Sequence, residues 1–304
     1  MFQEVAAKSR STLFVTVVYA AVMALLFGAA GNGLWGHFIC ILIATYLMVI
    51  INDSNALIKI YSRLPSSIFL VLAVMLMCRF QSLEASIAQI IFAAHLLILF
   101  KTYQNKRSMG TVCTAFMLLG AISTVFIQVL FFVPILWILL GLCMQAGSAK
   151  NYAASLIGLI VPYWLWGAYG FCTGNYEYIL EHIASIAILQ PVGEGILEPH
   201  LLLNLVFVTV IGIFGTFHFI RCSYYDSIKT RMMFYSLITL FLLTVAFIVL
   251  QPQHSPYLMR ILTVVAAPII AHHFTFTKSR LTNTYFIVSI IIAILLTAYN
   301  AWVD

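Results

Sequence analysis

Long apolar runs follow one another along almost the whole chain, broken only by short polar connections. A helix that crosses the hydrocarbon layer needs about 20 apolar residues. Runs of that order recur at 12–31, 35–51, 65–80, 83–101, 109–127, 129–147, 152–172, 200–220, 231–250, 257–276 and 282–302. Only 8% of the residues are charged, against about 25% in a soluble domain, so a water-facing surface could not be covered. Lipid must solvate most of the polypeptide. Because lipid offers no hydrogen bonds to the backbone, only helices or a closed barrel can span it. Barrel strands alternate apolar and polar residues over about ten positions, whereas these runs are apolar throughout. The expected fold is all-α: a polytopic transmembrane bundle of about eleven spans, or about nine if the third and fourth are lost together, in a single integral membrane domain over 1–304.

Local signals refine this outline. The run 109–147 is too long for one helix, so a hairpin is predicted near Gln128. Pro134 then falls in the first turn of the second arm, where a missing N–H costs least. Lys8 and Arg10 precede an apolar run with no small-residue cleavage pattern, so 13–31 reads as a retained first span. The six cysteines are isolated, with no C-x-x-C, and suggest neither a disulfide framework nor a zinc site. No cofactor and no metal is expected.

Charge gives the sidedness. With the N-terminus in the cytoplasm, thirteen of the fifteen Lys and Arg residues fall on inner connections: Lys8, Arg10, Lys59, Arg63, Lys101, Lys106, Arg107, Lys150, Arg221, Lys229, Arg231, Lys278 and Arg280. The outer connections hold Arg79, Arg260 and six of the nine acidic residues, as the positive-inside rule requires. The net charge of +6 is therefore an orientation signal, scattered over span ends, and no nucleic-acid partner is expected. The outer segment 173–200 is the one long polar excursion. It holds Glu177, Glu181, Glu194 and Glu198 and no Lys or Arg. Within it Ile179, Ile183 and Ile186 line one helical face, with Glu177, Glu181 and Ser185 opposite. This predicts a short amphipathic helix over 176–189 on the outer leaflet, ended by Pro191, Gly193 and Gly195.

Candidate chemistry lies on the same outer side. Arg79 and Arg260 are the exceptions to the charge rule. A guanidinium fork there suits a phosphate or diphosphate, although an arginine at a span end also snorkels to lipid headgroups. His200 joins them as a substrate-binding candidate. Trp164 and Trp166, near the outer end of the seventh span, offer stacking surface for a carbohydrate. His254, between Pro252 and Pro256, is a candidate general base near neutral pH. Glu177 and Glu181, four residues apart on one face, are candidate acid–base groups. The histidines predicted on the inner side (His95, His218, His272, His273) lack the repeated clusters of membrane di-iron enzymes. The pair His272–His273, close to Lys278 and Arg280, reads as a marker of the cytoplasmic interface. Deep polar groups are limited to residues such as Gln89, His95 and Asn204. The lack of a mid-span acid or base argues against a carboxylate-driven pump or symporter.

The opening Phe2, Lys8, Ser9, Arg10, the stretch Arg63-Leu64-Pro65-Ser66-Ser67 and the stretch Ile160-Val161-Pro162-Tyr163 resemble a bacterial family of polytopic inner-membrane proteins of similar length, for which no activity is assigned. The layout over essentially the whole chain also resembles the O-antigen and exopolysaccharide polymerases, which carry many spans and functional arginines facing the periplasm. The matching features are outward Arg79 and Arg260 beside one enlarged outer loop; the departure is that this loop has no arginine. That resemblance implies an inner-membrane protein of cell-envelope glycan or lipid metabolism, acting at the outer leaflet on a polyprenyl-diphosphate-linked or other anionic lipid. The expected partners are membrane lipids and a lipid-linked saccharide. A transporter or flippase for an amphipathic substrate, and a non-enzymatic subunit that docks an envelope complex, are the other readings.

Overall fold

The computed structural model describes residues 2–26, 35–77, 82–174, 176–187 and 198–302. These form thirteen α-helices: α1 Phe2–Lys8, α2 Thr12–Leu26, α3 Trp35–Asn55, α4 Leu64–Met77, α5 Leu83–Phe100, α6 Met109–Ser123, α7 Val133–Leu142, α8 Ala149–Thr173, α9 Tyr176–Ala184, α10 Pro199–Cys222, α11 Ile228–Leu250, α12 Ser255–Phe276 and α13 Arg280–Trp302. Among the described residues, seven helices are long and apolar enough to cross a membrane (α3, α5, α8, and α10 to α13). An eighth follows if α1 and α2, bent by 99°, count as one span. The expected count of eleven is not reproduced at that length. Three of the predicted spans correspond to shorter apolar helices at Leu64–Met77, Met109–Ser123 and Ile127–Leu142. For Met109–Ser123 and Ile127–Leu142 the reason is local: an apolar run says which residues suit lipid, but not where the hydrogen-bond ladder stops. The predicted break at Gln128 is present as a 3₁₀ turn, Ile127–Phe132, and Pro134 lies in the first turn of α7.

The chain divides into two compact units, one comprising Met1–Gln89 and Gly195–Asp304, the other Ile90–Glu194. In the first, α12 is the hub. Its membrane-length window is entirely buried, and it packs against α4, α10 and α11. Helix α4 is almost wholly buried as well and also meets α2, α3 and α13. Close backbone approach lets α10 reach the hub, because a Cβ on Gly215 would stand 2.9 Å from the Ile269 carbonyl oxygen. Small residues at such crossings are the usual basis of helix association in lipid.

Deep polar side chains in this unit tie helices together. Asn204 of α10 donates to Asn300 of α13 at 3.1 Å, and Asn300 donates to the Met75 carbonyl of α4 at 2.8 Å. Gln89 of α5 donates to Thr263 Oγ1 at 2.9 Å and to the Arg260 carbonyl at 3.3 Å. At one end of the unit Lys59, Arg63, Asp53 and Asp226 form ion pairs, and Gln3 bonds the end of α12. At the other end Tyr257 donates to Glu84 at 3.1 Å, and His37 and Ser86 share a bond of 2.8 Å.

The second unit is built on the parallel pair α6 and α8, held close by two glycines. A Cβ on Gly120 would stand 2.7 Å from the Leu159 carbonyl oxygen, and one on Gly158 would stand 2.3 Å from that of Cys113. His95 bonds the Ala115 carbonyl at 2.8 Å. Helix α8 starts at the N-cap Ser148 and stops at Gly174, whose φ of 74° is left-handed. The predicted amphipathic helix is present as α9, with Ile179 buried and Glu177 and Glu181 exposed; residues 188–197, with Glu194, lie outside the described residues.

The α6–α8 contact makes a direct prediction. Gly158→Val forces side-chain carbons against the α6 backbone and lowers stability by at least ~1–3 kcal/mol, the usual cost of overpacking. Gly110→Ala, where nothing lies within 4 Å of the added atom, changes it by less than about 0.5 kcal/mol. Unfolding of the two variants in detergent, followed by circular dichroism, measures the difference.

Candidate functional site

The side chain that least fits a lipid-solvated bundle is Arg260. It lies in the second turn of α12, is 1% exposed, and is the largest fully buried side chain described. Taking a guanidinium out of water costs several kcal/mol unless other groups meet its charge and donors. The position is possible because α12 touches no lipid, so its first turns can face polar neighbours. Those neighbours come from three helices. Cys40 of α3 lies within electrostatic range of Arg260. Gln89 of α5 bonds the Arg260 carbonyl and Thr263. Tyr257, one turn earlier on α12, holds Glu84 at 3.1 Å. His37 and Ser86 complete a polar layer where α3 and α5 begin. Buried in surroundings of low dielectric, the guanidinium fork favours a phosphate-type anion over a neutral ligand.

The other predicted residues are distributed as follows. Arg79 lies outside the described residues. His254 sits in the 3₁₀ turn Pro252–His254 that leads into α12, half-buried, its ring centroid 6.4 Å from that of Phe247. His200 is buried in the first turn of α10 and pairs with Glu198 at 3.1 Å. Those three described candidates, Arg260, His254 and His200, belong to the first unit. Glu177, Glu181, Trp164 and Trp166 belong to the second. Trp166 packs against His182 with ring centroids 5.2 Å apart, and against Tyr178 at 6.0 Å. His182 in turn bonds the Ser123 carbonyl at 2.8 Å, which fixes α9 to the end of α6. Glu177, Glu181, Trp166 and Tyr169 line one groove of about 580 Å³, an aromatic wall facing two carboxylates. Trp164 does not join it: it is 72% exposed on α8, where an indole faces lipid or the interface.

A second polar cluster forms at the opposite end of α12, and it was not anticipated. His272 and His273 do not mark a solvated interface. Both are buried, because the end of α12 stays inside the bundle. His218 of α10 stacks near them, with ring centroids 5.9 Å from His272 and 4.9 Å from His273. Cys222 Sγ lies 3.6 Å from His218 Nε2. His272 donates to Asp226 at 3.1 Å, and Lys59 pairs with the other oxygen of that carboxylate at 3.2 Å. Only the i,i+4 spacing of His218 and Cys222 was a signal in the sequence. Among the described residues no three His, Cys, Asp or Glu side chains are arranged to hold a metal ion.

Asp226 lies in the connection between α10 and α11. Burial pushes its carboxyl up, but the bond from His272 and the ion pair with Lys59 outweigh burial and hold it below the usual carboxylate range. A group whose folded-state pKa is depressed contributes stability that is complete above its unfolded value, about 3.9. That contribution is lost as pH falls through the lowered folded value.

The fold and the ends of α12 together define a class: this is a multi-span helical membrane protein whose buried hub helix carries ionisable side chains at both ends. The chain matches no protein-family model, no curated protein and no solved structure.

Asp226→Asn is expected to lower stability at neutral pH by ~1–3 kcal/mol, the cost of leaving a buried polar partner poorly satisfied. Lys59→Met, whose side chain is 42% exposed, costs at most ~1 kcal/mol. The Asn variant also loses the wild-type fall in stability below about pH 4. Detergent-phase unfolding across that range reads both effects.

Proposed function

We propose that the chain is an inner-membrane protein of cell-envelope glycan or lipid metabolism, which acts at the outer leaflet on a polyprenyl-diphosphate-linked or other anionic lipid. The observation that carries this reading is the fully buried Arg260 in its polar layer. A bundle keeps an arginine there most economically when an anionic ligand meets it. In this reading Arg260, with Arg79, binds the phosphate or diphosphate, and His200 lines the same outer side. His254 takes the proton from an attacking hydroxyl.

The sidedness belongs to the proposal. Counting the three shorter apolar helices and the bent α1–α2 pair with the seven long ones gives 7 + 1 + 3 = 11 crossings. With the N-terminus in the cytoplasm, thirteen of the fifteen cations are then inside. The polar contacts support this arrangement. Lys59 pairs with Asp226, Arg63 with Asp53, and Gln3 with the 274–277 segment, all among predicted inner positions. Glu84 meets Tyr257, and His37 meets Ser86, among outer ones.

Two experiments test the reading. In a cysteine-free background, a single cysteine at position 181 is labelled by an impermeant thiol reagent in intact cells, and one at position 106 only after permeabilisation. Labelling of both from the same side overturns the orientation. Arg260→Ala shortens surface glycans or causes lipid-linked intermediates to accumulate, with affinity down about 30-fold or more, from the ~2–5 kcal/mol lost when one member of a buried charge pair is removed. Arg260→Lys falls between, keeping the charge without the fork. Folded Arg260→Ala protein at wild-type level, with unchanged glycan length and unchanged lipid intermediates, removes the proposal.

A further inference from the structure

Below the hub, at the end of the first unit opposite Arg260, α1 does not continue into α2. It turns by 99° and packs on α12 and α13. The bend is anchored by one residue. Gln3 is buried, and its amide nitrogen donates to the Phe274 carbonyl at 2.6 Å, the Thr277 carbonyl at 3.0 Å and Thr277 Oγ1 at 2.9 Å. The Gln3 backbone N–H donates to Asn283 at 3.0 Å. Such a set of bonds across 271 to 280 residues of sequence fixes a seven-residue helix that would be marginal alone. Pinned in this way, α1 closes one side of a cavity of about 430 Å³ whose other walls come from α2, α4, α10, α12 and α13. That volume is within the range of sites that enclose a small ligand.

The walls are nearly all apolar, with Val71, Ile211, Phe286 and Ala293 among them. Two buried polar residues line it: Ser289, bonded to the Phe286 carbonyl, and Ser67, 2% exposed, whose hydroxyl has no hydrogen-bond partner among the described residues. The α1 side is different in character. Ser9 lines the cavity between two exposed cations, Lys8 and Arg10. Lys278 follows α12 nearby, 4.0 Å from Glu4, which also pairs with Lys8 at 2.7 Å. Two cations, Lys8 and Lys278, thus share one carboxylate. Arg10 faces the Tyr61 ring, its guanidinium carbon 5.5 Å from the centroid, and has no carboxylate partner among the described residues.

From this geometry we infer that the cavity beneath α1 is a binding site for one acyl chain of an anionic phospholipid, whose phosphate headgroup rests on Arg10, Lys8 and Lys278. Apolar walls hold hydrocarbon without preference between lipids. The excess positive charge at one rim selects the anionic headgroup, as basic pockets between transmembrane helices do. The site is independent of the outer-leaflet reading: it uses other residues at the other end of the unit. It makes the inner-leaflet lipid a built-in part of this bundle, with α1 as the clamp.

The test is native mass spectrometry of the full chain, released from mixed micelles holding equal phosphatidylglycerol and phosphatidylcholine. Wild-type protein is expected to retain phosphatidylglycerol at least about fivefold over phosphatidylcholine, the ratio equivalent to ~1 kcal/mol per cation near a lipid phosphate. Ala293→Phe, which fills the cavity, lowers retention of both lipids. Arg10→Glu, on an exposed side chain, leaves a lipid bound but abolishes the preference. If Ala293→Phe fails to fold, the Arg10→Glu comparison decides alone. Equal retention of the two lipids by the wild type, undiminished retention in folded Ala293→Phe, or unchanged preference in Arg10→Glu overturns the inference. So does a lipid-free dimer mass, which would mean that a second copy fills the groove.

Discussion

Lipid cannot hydrogen-bond, so every polar group of a bundle must find its partner inside the protein or at an interface. In this protein that constraint is met chiefly by one helix. Helix α12 is shielded from lipid along its whole membrane-length window, and its shield of α4, α10 and α11 is what permits Arg260, Thr263, His272 and His273 on a helix that crosses a membrane. On α8 or α13, whose windows are mostly uncovered, the same side chains would have to snorkel or find another protein surface. The polar layers at the ends of α12 therefore follow from its central position, and the position depends on close packing such as that at Gly215.

The two ends of α12 are chemically unlike. Near its start lie a buried guanidinium, the Gln89–Thr263 bond and, at the exposed edge, the Tyr257–Glu84 bond. Near its end, imidazoles and a thiol gather behind the Asp226–Lys59 ion pair. There Asp226 fixes His272 by a charge-assisted bond, while aromatic rings from Phe219, Phe234 and Phe276 pack around the imidazole. The first arrangement holds a guanidinium fork, whose geometry suits a phosphate. The second is built on the Asp226–Lys59 and Asp226–His272 pairs and reads as a structural latch between α10, α12 and the Lys59 connection. Hence Arg260 anchors the functional proposal and the histidines do not.

The second unit shows the other solution available in lipid. Its core contact, α6 on α8, is made by removing side chains altogether at Gly120 and Gly158, so that dispersion and close backbone contact replace a polar layer. On α9, Glu177 and Glu181 meet Trp166 and Tyr169 in a groove. The Ser123 carbonyl, left free where α6 stops, accepts from both Tyr163 and His182, so the end of one helix becomes the attachment point of another.

Much of this was legible in the amino-acid order, because it depends on local chemistry. Composition requires lipid as solvent; run length gives helices; Gln128 and Pro134 mark a break; the Ile179–Glu181 pattern gives α9. The expected eleven spans are not confirmed by helix length, because helix ends such as those at Ser123 and Leu142 depend on hydrogen bonding that apolarity does not encode. The charge exceptions singled out Arg260 correctly as an unusual residue, but its burial among α3, α5 and α12 required contacts between residues some 170 to 220 positions apart in the chain, as with Gln89 and Thr263 at a separation of 174. His272 and His273 show the converse: beside Lys278 and Arg280 they look interfacial, and only the depth of α12 in the bundle buries them. Sequence alone determined the solvent, the helices and the candidate charges, since each is a property of a short stretch of chain. Tertiary structure alone decided which charges are shielded, which glycines are crossings and where α1 folds back to close a cavity, since each of these is a relation between distant segments.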